Sequence, residues 1–458
     1  FEEAENVVEK TFTLQMVHQG YIEPHNATAH WDEDDRIKVW TSTQGAFPVR
    51  TSTAAILDMD VSRIKVTPLE IGGGFGGKIP VYLEPVVSIL SKKSGRPVKA
   101  IMERSNVFQA SGPAPGGTIT VKMGTDKDAN IIAAETSIKL EAGGFPGAAV
   151  GAAVQCIFAP YDIPNTRIDG YDIVVNKPKS AAYRAPGSPQ AAFAAETVSD
   201  ELARIHNMDP IDFRLQNASK EDTRRADGVV FPKIGNVEVL EAAKASDHWK
   251  SDLGTPPKGR VRGRGVASGY WFNVGLKSAV SLTVNNDGSV ALVEGSTDIG
   301  GTRTSISMQA AEVLGIGVEN FIPSVGDTDT AGYADVTGGS RTTYATGFAA
   351  VKAAENLIEV LKERCAIIWS LDKNDIDFSD GTFYASKDPE LKFSFKDLAS
   401  NLDNTGGPAS STGSVDLESA GGAFGTHIVD VDVDPDTGKT DVARYTVVQD
   451  VGTAIYPA

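Results

Sequence analysis

Glycine constrains this chain more than any other residue type. It takes 46 of 458 positions and is bunched rather than spread. The densest bunch is Ile71-Gly72-Gly73-Gly74-Phe75-Gly76-Gly77-Lys78, with five glycines in six positions. It follows a predicted strand, Arg63 to Leu69, and precedes a predicted helix running toward Lys92. Such density permits positive φ and lets backbone N–H groups approach an anion closely, at an entropic cost that a plain turn need not bear.

Three further loops share this character. Gly295-Ser296-Thr297-Asp298-Ile299-Gly300-Gly301-Thr302-Arg303-Thr304 opens one predicted helix, and Thr337-Gly338-Gly339-Ser340-Arg341-Thr342-Thr343 opens another. Each of these two places glycines, hydroxyls and an arginine at a helix start, which suits a phosphate or pyrophosphate. A capped helix start would use the same letters. The fourth, Ala181-Ala182-Tyr183-Arg184-Ala185-Pro186-Gly187-Ser188-Pro189-Gln190, also enters a helix. Together the loops favour a large phosphorylated cofactor held from several sides. Two phosphate motifs also fit the first loop. Gly72-x-Gly74-x-x-Gly77, with Glu103 ending the next predicted strand, matches a dinucleotide fingerprint, although Pro68 interrupts the strand before it and no regular βαβαβ alternation follows. Gly72 to Lys78 matches a nucleotide-binding P-loop, except that Ile79 stands where Mg²⁺ needs a hydroxyl.

Charge narrows the partners. The net charge of −17 disfavours nucleic acid and anionic membrane surfaces. Two cysteines, Cys156 and Cys365, exclude a disulfide scaffold, a zinc ribbon and a cluster held by four thiolates, and suit a reducing, cytoplasmic location. The uncharged run Ala142–Pro160 is too rich in Gly and Pro for a membrane span and reads as a buried loop and short helix. The six histidines form no helical zinc pair. Asp430-x-Asp432-x-Asp434-x-Asp436 alternates like a strand entering a hairpin turn, with no glutamate at the twelfth position of a calcium loop. No Gly-x-Ser-x-Gly elbow occurs.

Hairpins and amphipathic helices alternate throughout, which predicts an α+β fold of mixed sheets. Hairpins are expected at Asn285–Gly288, Asp126–Asp128 and Asp434–Gly438. One helix should bury Ala194, Val198, Leu202 and Ile205, a second Ile306, Ala310, Val313 and Leu314, and a long helix should cover Tyr344–Trp369. The charged stretch from Ser219 to Gly263 is taken as the boundary between two related halves, 1–250 and 251–458, each with glycine loops feeding helices. The acidic opening without an initiator methionine suggests a piece of a longer protein.

The Gly72–Lys78 and Tyr183–Gln190 loops, the Trp40-Thr41-Ser42-Thr43-Gln44 segment and Asp450-Val451-Gly452 stand in an order spread over the whole chain. In this the chain resembles the molybdenum-binding large subunit of the xanthine oxidase/aldehyde oxidase family. The resemblance implies a molybdenum hydroxylase: molybdopterin, in bacteria often the cytosine dinucleotide form, carries Mo through its dithiolene. Water-derived oxygen is then added to an electron-poor carbon, and electrons leave through [2Fe–2S] clusters and FAD, expected here on partner chains. Carried over by motif, Gly74, Phe75, Gly76, Gly77 and Arg184 lie near the metal. Gly300, Gly301, Thr302 and Arg303, with Gly339, Ser340, Arg341 and Thr342, cradle the pterin and its phosphate. Gln19 supplies a side chain near the metal, with Gln15 as the competing position.

Departures from the family pattern carry information. Gly300-Gly301 replaces a Gly-Gln-Gly, removing a side-chain contact. Nothing here matches the family's general-base glutamate, expected beyond Gly452, so a further segment or chain should carry it and this chain alone should not turn over. Where xanthine-oxidising relatives have a purine-binding glutamate stands Ile79, and no arginine lies near Ala152. Where carbon monoxide dehydrogenase has a copper-binding cysteine stands Ala185. An apolar wall from Ile79, Ala185, Pro186 and Phe158 would suit an aldehyde or an aromatic N-heterocycle. A cofactor-binding assembly subunit and a nucleotide-binding enzyme are the competing functions.

Overall fold

The computed structural model describes residues 1–418 and 421–457. Three of its sheets repeat one topology. In the first, the hairpin Asn26–Trp31/Ile37–Thr41 is followed by a helix, Ala46–Leu57, and by Ile64–Pro68, which lies parallel to the second hairpin strand. Val98–Ile101 closes the other edge, antiparallel to the first hairpin strand. The second sheet repeats this with Leu276–Val284/Val290–Glu294, the helix Thr302–Leu314, parallel Phe321–Val325 and antiparallel Ala409–Leu417. The third uses Gly117–Thr125/Ile131–Gly143, the helix Val150–Cys156, Thr166–Val174 and Asn6–Leu14. A parallel neighbour requires a crossover, and in all three a helix supplies it. Each parallel strand then runs through a loop into a second helix: Glu84–Ser94, Gly347–Trp369 or Ser188–Ile205.

This mixture of antiparallel and parallel pairs is α+β. It also removes the dinucleotide reading, which needs a doubly wound parallel sheet. The expected hairpins are present, at Asn285–Gly288, Asp126–Asp128 and Asp434–Gly438. Asp430 and Asp432 lie in a strand, where Arg264 and Arg262 hold them, so the alternating aspartates are a strand and not a calcium loop.

The chain forms two compact units, each assembled from separated stretches of sequence. One comprises Phe1–His18, Gly112–Asn273 and Ala420–Thr453; the other comprises Gln19–Ser111, Val274–Ser419 and Ala454–Ala458. The first unit packs Ala194, Val198 and Leu202 against Ile119, Val121 and Met123. The second contains a core of Val280, Leu282, Leu292, Ile306, Ala310, Leu314 and the alanine face of Gly347–Trp369, and a smaller one around Val39, Ile64 and Val87.

Several local expectations need correction. Ile205, the last residue of Ser188–Ile205, is exposed, while Leu202 and Ala203 of the same turn are buried. The segment 144–147 is exposed, with Phe145 72% accessible, whereas Ala142, Gly143 and the stretch from Cys156 to Pro160 are buried. The charged stretch 219–263 is not all surface: the helix Asn236–Ala245 buries Val239, Leu240 and Ala243. Among the described residues, no helix is long and apolar enough to cross a membrane.

Candidate functional site

Three of the four loops lie in one unit, that of Gln19–Ser111 and Val274–Ser419. The first does not start a helix: Glu84–Ser94 begins six residues after Lys78. Lys78 is buried, donating from Nζ to Glu23 Oε2 at 2.7 Å and to Ser42 Oγ at 3.0 Å. Both facts remove the P-loop reading, in which the lysine must face phosphate at a helix start. Burial would raise the Glu23 pKa, but hydrogen bonds from Lys78, Ser42 and the Gly72 amide outweigh it and bring it down to about 2.

Gln44 organises the same loop. Its Oε1 accepts from the Gly76 amide at 2.8 Å and the Lys78 amide at 3.3 Å, while Nε2 donates to Thr337 O at 2.9 Å. Backbone bonds add Gln44 to Lys78 and Thr337 to Gln44. Gln44 thus ties the first loop to the third. Glycine is required at position 74 because a Cβ there would lie 2.7 Å from Gln44 Oε1. With Gly76 and Lys78 so engaged, the amides of Gly73, Gly74 and Phe75 remain. Among the described residues they make no hydrogen bond to the protein. Gln19, buried, packs against Gly77. Ile79 is half-buried beside Gly338 of the third loop.

The third loop is built around Arg341. Its guanidinium is fully buried and donates to Gly275 O, Asp335 O, Val336 O, Lys277 O and Ser278 Oγ. That side chain shapes the loop and has no donor left to face a ligand. The expectation of a phosphate-facing Arg341 side chain is corrected on this ground. Thr342, at the start of a π-helical turn, keeps a buried hydroxyl without a partner among the described residues. π-turns often mark functional sites.

The second loop ends at Gly301, whose φ of +81° places the N-cap in the left-handed region. A Cβ at Gly300 or Gly301 would meet nothing within 4 Å, so the loop's outer face is open. Asp298 caps the helix: it accepts from the amides of Gly300 at 2.8 Å and Thr302 at 3.1 Å, and from Arg303 Nε at 2.8 Å. Burial opposes its ionisation, but these donors bring its pKa down to about 2. Arg303 also bridges to Glu70 at 2.9 Å. Its charge is therefore shared between two carboxylates, beside a cavity of about 200 Å³ lined by Glu70, Thr297, Asp298 and Ser324.

The fourth loop lies in the other unit. Arg184 is exposed, and Ala185 and Pro186 are half-buried ahead of the N-cap Gly187. Phe158, expected on a substrate wall, is 5% accessible and packs in that unit's core, where an aromatic gains most by burial. Phe75, Ala185 and Ser340 are non-glycine residues at φ of +54°, +60° and +59°, one in each of three loops. Such conformations persist where the surrounding structure over-determines them, often at functional sites. Sequence reasoning missed Gln44, Glu23 and Lys78 as organisers. The signal was present in Trp40–Gln44, but nothing local says that an amide three residues past a strand spans two loops.

Comparison with known proteins identifies the family. The molybdopterin cofactor-binding domain family matches twice, over residues 1–218 and 238–458. The aldehyde oxidoreductase molybdenum-binding subunit PaoC of Escherichia coli O157:H7 is 28% identical across 100% of the chain and 62% of that protein. The xanthine dehydrogenase molybdenum-binding subunit of the same organism is 29% identical across 99% of the chain and 63% of that protein. The chain thus spans under two thirds of the length of these relatives. The solved CO dehydrogenase from Oligotropha carboxidovorans superposes with a TM-score of 0.88 at 23% identity, covering 100% of the chain and 62% of its own, which shows a shared fold. The chain belongs to the molybdopterin cofactor-binding domain family, among the relatives of the xanthine oxidase/aldehyde oxidase molybdenum-binding subunits.

Proposed function

We propose that this chain is the molybdopterin-binding part of a molybdenum hydroxylase that oxidises an aldehyde or an aromatic N-heterocycle with oxygen from water. The observation that carries the reading is the run of backbone amides at Gly73, Gly74 and Phe75, which no described group of the protein accepts from. The open face over Gly300 and Gly301 and the unmatched Thr342 hydroxyl support it. These groups suit an anionic, acceptor-rich cofactor, because preformed amides need no conformational entropy to aim. When bound, such a cofactor supplies the two-electron acceptor and the metal for oxygen transfer.

The chain's own residues hold and orient. The amides of Gly73, Gly74 and Phe75, with Gln19, serve the metal end. Gly300–Thr302, with Gly339, Ser340 and Thr342, serve the pterin and its phosphate, in the cytosine dinucleotide form where that is used. Arg303 and Arg341 act by shaping these loops. Ile79 gives the substrate wall beside the first loop an apolar surface. Each polar partner a purine lacks there costs ~1–3 kcal/mol, so two losses give roughly a hundredfold or more against purines. Iron–sulfur and flavin-bearing chains take the electrons, and a further segment supplies the general base.

Metal analysis and pterin fluorescence of the purified protein test the reading, with molybdenum and pterin expected in the wild type and sharply reduced in G74V. Bound adenine nucleotide without metal would overturn it. With its partners present, the full-length protein should oxidise aromatic aldehydes or nicotinate-like heterocycles; xanthine oxidation as efficient as the best substrate found would show the pocket misassigned. Pterin without turnover on any substrate would favour an assembly subunit.

A further inference from the structure

Val290, Leu292 and Glu294 alternate along one strand and face the same core, and each is 0% accessible. The strand's two neighbours place Val280 and Val325 opposite Glu294. The helix Thr302–Leu314 and the turn Thr342–Thr346 pack over this face with Ile306, Ser307, Ala310, Thr342 and Ala345 buried. None of these is titratable. The charged groups acting on Glu294 are Asp298 and Arg303, four and nine residues on; Arg341 nearby is committed to its five acceptors. Neither oxygen of Glu294 has a protein hydrogen-bond partner among the described residues, and the hydroxyls of Thr297 and Ser307 are in the same condition. A carboxylate so placed would be an uncompensated buried charge, whereas a carboxylic acid is merely an under-bonded polar group.

We propose that Glu294 keeps its proton in the folded chain and is a positioning residue that makes anion binding at the Gly300–Arg303 loop depend on pH. With Glu294 neutral, the loop carries Asp298 and Glu70 against Arg303, a net charge of about −1. Ionised, Glu294 adds a second uncompensated negative charge behind the Gly301 amide, which among the described residues is the loop amide that Asp298 leaves open to a phosphate. One such charge at an effective dielectric of ~20 is worth roughly tenfold in anion affinity. Burial pushes the Glu294 carboxyl well above its ordinary range, with Asp298 adding to burial and Arg303 opposing it. The inference rests on the reading that this loop receives a phosphate-bearing group.

Infrared spectroscopy reads the proton directly. The carbonyl band of a protonated carboxylic acid should persist in the wild type at about pH 8 and be missing from E294Q; its loss from the wild type by neutral pH would overturn the proposal even if the variant failed to fold. The folded pKa lies above the unfolded one, so stability falls as pH rises between them. Calorimetry should therefore show wild type losing stability from about pH 5 upward relative to E294Q, which mimics the neutral acid. E294Q less stable than wild type by tenfold or more in unfolding constant at neutral pH would mean the carboxylate is charged and bound to something. Inorganic pyrophosphate, titrated calorimetrically, should bind wild type roughly tenfold more weakly at alkaline than at mildly acidic pH, after correction for its own ionisation, and E294Q without that change. Binding to neither protein, with the infrared band intact, would remove the gating and the phosphate reading of the loop while leaving the buried acid.

Discussion

At the loop end of the sheet built on Asn26–Thr41, the last paired residue of the central strand is Thr41, between Ala27 and Pro68. At the same place in the sheet built on Leu276–Glu294 it is Glu294, between Val280 and Val325. Thr41 donates to Glu84 Oε1 at 2.7 Å, so there the acid sits on the following helix and the hydroxyl on the strand. In the second sheet the acid is on the strand and hydroxyls are on the turn, where Thr346 joins Ser278 and Ser296. The first arrangement is closed: Glu84 also accepts from the Tyr82 amide, and the loop above is locked by Gln44 and by Lys78–Glu23. The second leaves its acid unmatched under an open glycine face. One topology therefore builds a rigid loop in one copy and a responsive one in the other. A buried polar group that is fully satisfied rigidifies, and one that is not remains sensitive to charge nearby.

The largest test of this contrast is R341M. It removes a guanidinium serving five acceptors, leaves buried carbonyls unmatched, and should cost ~3–5 kcal/mol in denaturant unfolding. A loss below about 1 kcal/mol would mean that Arg341 does not frame the third loop. Next is Q44E, which sets an acceptor-only oxygen against Thr337 O. We expect ~1–3 kcal/mol and a parallel loss of bound pterin, whereas intact cofactor content would sever the link between the first and third loops.

K78M sharpens the comparison by pH. Glu23 has a folded pKa of about 2 against an ordinary value of 4.5, so its contribution is present above the unfolded value and is lost as pH falls from about 4.5 toward 2. In K78M that acid sensitivity should flatten, read as a smaller drop in Tm between neutral and acidic buffer. An unchanged drop would assign the effect to other carboxylates. The smallest expected effect is T41V, about 1 kcal/mol for one buried hydrogen bond. Set beside an E294Q that costs nothing, it measures the asymmetry between the two sheets; equal losses in both would erase it.

Much was legible from local chemistry. Turn residues such as Asn285–Gly288 and Asp434–Gly438 dictate hairpins, and Gly315 ends its helix at a φ of +59°, because these choices depend only on neighbours in sequence. The loops themselves were legible for the same reason: glycine adopts such backbone at the least cost. The sequence by itself therefore determined the α+β elements, the positions of the four loops and, through their motifs, the family. The tertiary structure decided what each side chain does once there. Lys78, Arg341 and Arg303 looked alike as cations beside glycines, yet one is buried on Glu23, one on carbonyls, and one between Asp298 and Glu70. Phe158 went to the core, and Glu294, unremarkable at the end of a strand, became a buried acid whose carboxyl has no hydrogen-bond partner among the described residues. The physical reason is that a polar group's role depends on which distant partners desolvate and bond it, and those partners lie up to 293 residues away, as Gln44 and Thr337 do.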